Sequence, residues 1–164
     1  MLIRPLEKDD DRLAISRIYE ESWKAAYRDI IPEEYLASIP PGRWAPYLDA
    51  EGRQSLVLLE DGAYIGTASY ARSRTDLLRD YGEIISLYLL PESMGKGYGK
   101  KLLSAAIDAL SSLGNRDLFL WVLEENQRAR RFYEKAGFVP SGDFLEACIG
   151  GKDLREVQYR YHIG

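Results

Sequence analysis

Gly95, Gly97 and Gly99, interleaved with Lys96 and followed by Lys100 and Lys101, are the residues best suited to holding an anion. Upstream, Ile84, Ile85, Leu87, Leu89 and Leu90 form an apolar run too continuous for a strand wetted on one side. Downstream, Leu102, Leu103, Ala106, Ile107, Leu110 and Leu113 recur at intervals of three and four, which is one face of a helix. A strand, a glycine turn and a helix in that order leave unpaired N–H groups and partial positive charge at the helix start, where phosphate oxygens settle. The spacing excludes two familiar loops. The dinucleotide fingerprint fails because Lys100 stands where its third glycine belongs. The nucleotide P-loop fails because Met94 occupies its first glycine position and Lys101 replaces its Ser or Thr.

A second constellation lies in WVLEENQRARRFYEKAGFVP, residues 121–140. Asn126 is placed to cap a helix, since its side-chain oxygen can accept from the N–H two or three residues on. Ala129, Phe132, Tyr133 and Ala136 then share a face, and Gly137 stands where a left-handed C-terminal residue is wanted. On spacing alone Tyr133 reads equally as a proton donor or as a core aromatic beside Phe132.

These two motifs, in this order, resemble the pyrophosphate loop and the second cofactor motif of the GCN5-related N-acetyltransferases. The resemblance covers nearly the whole chain and implies acetyl transfer from acetyl-coenzyme A to a primary amine by direct attack, without a metal. By the same resemblance, the backbone of Leu87, Tyr88 and Leu89 pairs with the pantetheine arm, while Gly95, Lys96, Gly97, Tyr98, Gly99 and Lys100 wrap the pyrophosphate. Asn126 touches the cofactor near its pantetheine end, and Tyr133 is the general acid to the departing thiolate. Glu83, at the entry of the cofactor strand, is the expected base working through water; its other readings are a solvated residue at a strand edge or an ion-pair partner of Arg79. Glu124 and Glu125, just before the cap, read better as favourable helix-start charges. The segment ESWKAAYRDIIPEEYL, residues 21–36, resembles the start of bacterial small-molecule acetyltransferases, polyamine acetylators among them; Trp23 and Tyr27 fall where the family shapes its acceptor pocket, and their aromatic faces suit a cation, although four residues apart on a helix they also suit a core. The Arg72, Arg74 and Arg79 connection would suit an anionic acceptor as well. The chain departs from the family at Met94, where Gln or Arg is usual, and one contact to the pyrophosphate region is expected to be missing. An acyl-coenzyme A sensor that does no chemistry is the alternative on the same fold.

The elements that must position these residues can be read from pattern. Strands are expected over 2–6, 55–59 and 63–71, with Asp61-Gly62 as a hairpin turn. Further strands follow near 82–90, 117–123, 139–149 and 153–161, the last two joined through Gly150-Gly151. Helices are expected after the acidic start at Asp9 to Asp11, over 32–37, after the glycine loop and after Asn126. That order is α+β: one central, mostly antiparallel seven-stranded sheet flanked by about four helices, in a single domain over 1–164.

At 164 residues, a net charge of −4 and a pI near 5.2, the composition argues against a general nucleic-acid binder. No apolar run approaches the ~20 residues needed to cross a bilayer, and no signal segment is evident, so a cytoplasmic location is expected. Cys148, in the apolar stretch LEACI, reads as buried and inert, and with the single His162 it makes no zinc cluster. The C-terminal strands could pair with a second copy as exposed edges do, giving a homodimer.

Overall fold

Tight turns build most of the sheet, because their residues leave the chain little choice. In the computed structural model, which describes all of residues 1–164, Asp61 and Gly62 take φ of 51° and 80°, as a two-residue hairpin turn requires. They join β2 (Gln54–Glu60) to β3 (Ala63–Arg72). β1 (Leu2–Pro5) and β4 (Gly82–Leu89) complete an antiparallel half of four strands. In the other half β5 (Asp117–Leu123) pairs antiparallel with β7 (Lys152–His162), and β7 with β6 (Val139–Ile149), for a sheet order β1-β2-β3-β4-β5-β7-β6.

Four α-helices cover this sheet: α1 (Arg12–Ala26), α2 (Glu33–Ser38), α3 (Tyr98–Ser112) and α4 (Gln127–Lys135). The α+β architecture is the one expected from the sequence. Asp11 caps α1 by accepting from the amides of Leu13 and Ala14 at 3.0 and 3.1 Å. On one face of the sheet, the buried stripe Leu102, Leu103, Ala106 and Leu110 of α3 packs with Ile84, Leu118, Leu120 and Val122, joined by Tyr133 and Phe138. On the other face, Ile15 and Tyr19 of α1 meet Val57, while Ile31, Leu36 and Ile39 meet Leu123 and Leu154. No helix is long and apolar enough to cross a membrane.

One expectation is corrected here. Cys148 is exposed, because β6 is the sheet edge and bonds only to β7, leaving most of both its faces open. Apolar neighbours in sequence do not bury a strand that no helix covers. His162 pairs instead with Asp117, Nδ1 lying 2.8 Å from Oδ1.

Candidate active site

Strands β4 and β5 are the only parallel pair, and their ladder is short: Gly82 aligns with Leu118 and Glu83 with Phe119, after which they part. In β4 a register shift opposite Ser69 and Tyr70 inserts Ile85 as an extra residue, and a bulge of this kind bends the strand and re-aims its side chains. Residues 85–88 are accordingly half-buried although they lie mid-sheet. The gap opens into a cavity of about 680 Å³ reaching both faces, lined from β4, β5, the glycine loop, α1 and α4. The β4 edge toward the gap is free of strand partners, so an extended ligand can bond there as a strand would.

The glycine loop closes one end. Gly95 and Gly97 take φ of 77° and 83°, conformations in which a side chain is strained. A Cβ at either would meet no atom within 4 Å. The third glycine, Gly99, lies against α4, where a Cβ would stand 3.4 Å from the Phe132 ring, an ordinary contact. The amides of residues 95–100 find no acceptor in the chain, the first helical bond being Lys101 N to Gly97 O at 3.3 Å. Successive amides around open space, with Lys100 and Arg128 on the adjoining wall, make an anion cradle. Met94 also lines the cavity and packs on the core, but its amide is spent on Pro91 O at 3.2 Å, so it adds no donor. Tyr98 ties the helix start to the β2–β3 hairpin by donating to Glu60.

Above the cradle, Asn126 caps α4 by accepting from Ala129 N at 3.2 Å, which leaves its amide NH2 free at the cavity wall. Tyr133, on the face of α4 that the spacing predicts, is held by Phe132 and Phe138 with ring centroids 5.2 and 5.7 Å away. Its ring is buried at 9% exposure, and its hydroxyl bonds to no protein group. Burial first, and then the nearby Tyr88, hold its pKa well above the ordinary phenol value. It is therefore a neutral donor at any working pH.

Trp23 and Tyr27 line the same cavity from the end of α1, packed edge to face at 5.0 Å. The Trp23 indole N–H donates to Tyr88 Oη at 3.1 Å. Burial, with help from Tyr88 and, more weakly, Glu156, holds the Tyr27 phenol well above its usual pKa. Of the residues the sequence singles out, Leu87, Tyr88, Leu89, Gly95, Gly97, Gly99, Lys100, Asn126, Tyr133, Trp23 and Tyr27 thus meet on one cavity. Lys96 and Tyr98 belong to the loop without lining it.

Glu83 lies elsewhere. Both its oxygens accept from Arg74, from Nε at 2.9 Å and Nη2 at 2.6 Å, and it is not on the cavity wall. Arg74, rather than Arg79, is its partner. The carboxylate that does stand on the wall is Glu156 of β7, which sequence reading passes over. Its one signal is its strand phase, shared with the buried Leu154 and Gln158. Burial raises its pKa. Glu124 and Glu125 are exposed at the α4 entry, Glu125 3.6 Å from Lys152.

The profile of the Acetyltransferase (GNAT) family matches residues 14–138. A protein of Mycobacterium tuberculosis named as an N-acetyltransferase is 35% identical over 139 residues, 82% of this chain and 85% of that one. A spermidine N(1)-acetyltransferase of Thermoplasma acidophilum is 29% identical over 161 residues, 96% of both. Among solved structures, a Salmonella typhimurium protein described as an acetyltransferase with its cofactor acetyl-CoA superposes with a TM-score of 0.72 at 25% identity, covering 100% of this chain and 94% of that one.

Proposed function

This chain belongs to the GNAT acetyltransferase family, and from that premise we propose that its cavity brings acetyl-coenzyme A and a primary amine together for direct attack in a ternary complex. The single observation that carries the reading is the run of unpartnered amides at residues 95–100 below the free edge of β4. The residues present fit the cosubstrate: the amides with Lys100 and Arg128 suit its diphosphate, and residues 85–89 suit its extended amide arm. When bound, it supplies an acetyl group activated as a thioester.

The chain's own groups then do three things. The free NH2 of Asn126 fixes the arm near its reactive end. Tyr133 is the general acid, aiming its phenolic proton at the sulfur; because its pKa is raised rather than lowered, it acts chiefly by hydrogen bonding to the developing charge. Glu83, buried beside the point where β4 and β5 part and off the cavity wall, is the base: it takes the ammonium proton through intervening water once the exposed Arg74, at 61% side-chain exposure, turns away.

Two measurements test this. Calorimetric titration should find acetyl-coenzyme A binding, and a panel of primary amines should raise thiol release above the amine-free rate. Binding with no amine-dependent thiol release would leave only a sensor. For the base, Glu83→Gln should lower kcat about tenfold, less than the roughly 100-fold low end for a proton-transfer group, because water can take the proton in its place. Arg74→Ala should stay within about threefold of wild type, since it frees the same carboxylate. Equal losses in both variants, with matching falls in Tm, would make the pair purely structural.

A further inference from the structure

Helix α4 carries Tyr133 and is capped by Asn126, and a single buried side chain of the sheet reaches it by hydrogen bonds. Tyr159 of β7 is fully buried. Its hydroxyl accepts from Arg130 Nε at 3.0 Å and donates to Glu134 Oε1 at 2.6 Å. Arg130 also donates from Nη1 to the Glu124 carbonyl at 3.0 Å, two residues before the cap. The other side-chain hydrogen bonds at this helix are local, from Gln127 to the Glu124 carbonyl and from Ala129 N to Asn126. Burial alone does not account for the arrangement at Tyr159. One partner is enough to satisfy a buried hydroxyl, yet this one holds two charged groups on successive turns. Charges four apart on a helix can pair with each other; Arg130 and Glu134 meet on the phenol oxygen instead.

Tyr133 lies between these two residues in sequence, and its own hydroxyl has no protein group to hold it. The inner face of α4, with Ala129, Phe132, Tyr133 and Ala136, packs on the core. Such contacts are non-directional, whereas a hydrogen bond weakens steeply as its angle departs from straight. The node at Tyr159 therefore adds what packing lacks, a fixed rotation and height of α4 on the sheet. A donor that must meet one atom depends on this, since a misplacement of ~1 Å can cost about 100-fold in rate. Tyr159 itself is not on the cavity wall, so it touches neither cosubstrate nor acceptor. We propose that Tyr159 is a positioning residue for the transfer: its hydroxyl, held between Arg130 and Glu134, fixes α4 on the sheet and so aims the Tyr133 phenol at the thioester sulfur. This inference rests on the acetyl-transfer reading and adds to it a residue outside the cavity.

The test is a double-mutant cycle on kcat, run with the primary amine that releases thiol fastest in wild type. Tyr159→Phe should lower kcat about tenfold, short of the 100-fold limit because the apolar face still seats the helix. In the Tyr133→Phe background the same substitution should change kcat by less than about twofold, since no donor is left to misaim. A general loss of stability would instead move Tm equally in both backgrounds. Arg130→Met breaks the node from the half-buried helix side without touching the core, and should repeat the pattern. Glu134→Gln keeps an acceptor for the hydroxyl and should stay within about twofold of wild type. A readout that needs no acceptor is the thiolate absorbance of bound coenzyme A, titrated against pH. A donor aimed at sulfur lowers the thiol pKa, so Tyr159→Phe should raise it in the wild-type background and leave it unmoved in Tyr133→Phe. A kcat for Tyr159→Phe within about twofold of wild type, or an equal fall with and without the Tyr133 hydroxyl, overturns the positioning role and leaves Tyr133 as the acid. A kcat for Tyr133→Phe within about threefold of wild type removes the acid itself, and the positioning role falls with it.

Discussion

Tyr133→Phe should lower kcat by about 100-fold, or about 2.7 kcal/mol of transition-state stabilisation, and leave acetyl-coenzyme A affinity within about twofold. The size follows from what one donor aimed at developing negative charge is worth in a water-poor site. Selectivity for kcat follows from the fact that the phenol has no other task. Its ring is held by Phe132 and Phe138, contacts that phenylalanine keeps, and its hydroxyl makes no hydrogen bond within the chain that the substitution would break. Tm should therefore hold. The pH profile gives a further check. Deprotonation removes the donor, and because the Tyr133 pKa is raised above the ordinary phenol value of about 10, the loss belongs at still higher pH. No alkaline fall assignable to Tyr133 should appear in the neutral range. Stopped-flow or steady-state thiol release, paired with calorimetric cofactor titration, measures all of this. A kcat within about threefold of wild type would remove Tyr133 from the chemistry.

What could be read in the sequence was set by how local the causes were. Asp61-Gly62, Gly150-Gly151, the acidic helix start at Asp9 to Asp11, the Asn126 cap and the period of α3 are decided within a few residues, and each stands where pattern puts it. Long-range register is different. Glu83 finds Arg74 because the connection closes through Ser73 N to Tyr81 O at 2.8 Å, folding a polar segment with no periodicity back over the strand. Cys148 is exposed because β6 is an edge, and alternation in sequence does not distinguish an edge strand from an inner one. Glu156 was hidden for a related reason: Leu154 and Gln158 are buried on its phase of β7, and Tyr159 is buried on the other, so neither phase stood out as facing a cavity. The cavity itself comes from the parting of β4 and β5, which depends on a bulge that nothing in the residue pattern announces.

Gly97→Val should weaken acetyl-coenzyme A binding by about 100-fold, and Gly114→Val separates the reasons. Both glycines have left-handed backbone, φ of 83° and 92°, and a Cβ at either would meet nothing within 4 Å. A valine in that conformation costs roughly 1–2 kcal/mol at each site, so both variants should lose similar stability and show similar falls in Tm. That strain is present in free and bound protein alike and cancels from the dissociation constant unless the loop moves. At Gly114, which follows α3 at the far end from the loop, neither movement nor a side chain touches the cradle. At Gly97, which lies among the unpartnered amides of residues 95–100 and lines the cavity, relief of the strain turns those amides out of the cradle. Losing about two hydrogen bonds to a charged diphosphate, at roughly 1.5 kcal/mol each, gives the expected factor. The KM for the amine should change little, since Trp23 and Tyr27, the expected acceptor wall, come from the end of α1 and not from the loop. If Gly97→Val binds the cofactor within about threefold of Gly114→Val, the anion cradle is not where the cosubstrate binds, and the assignment of the loop fails with it.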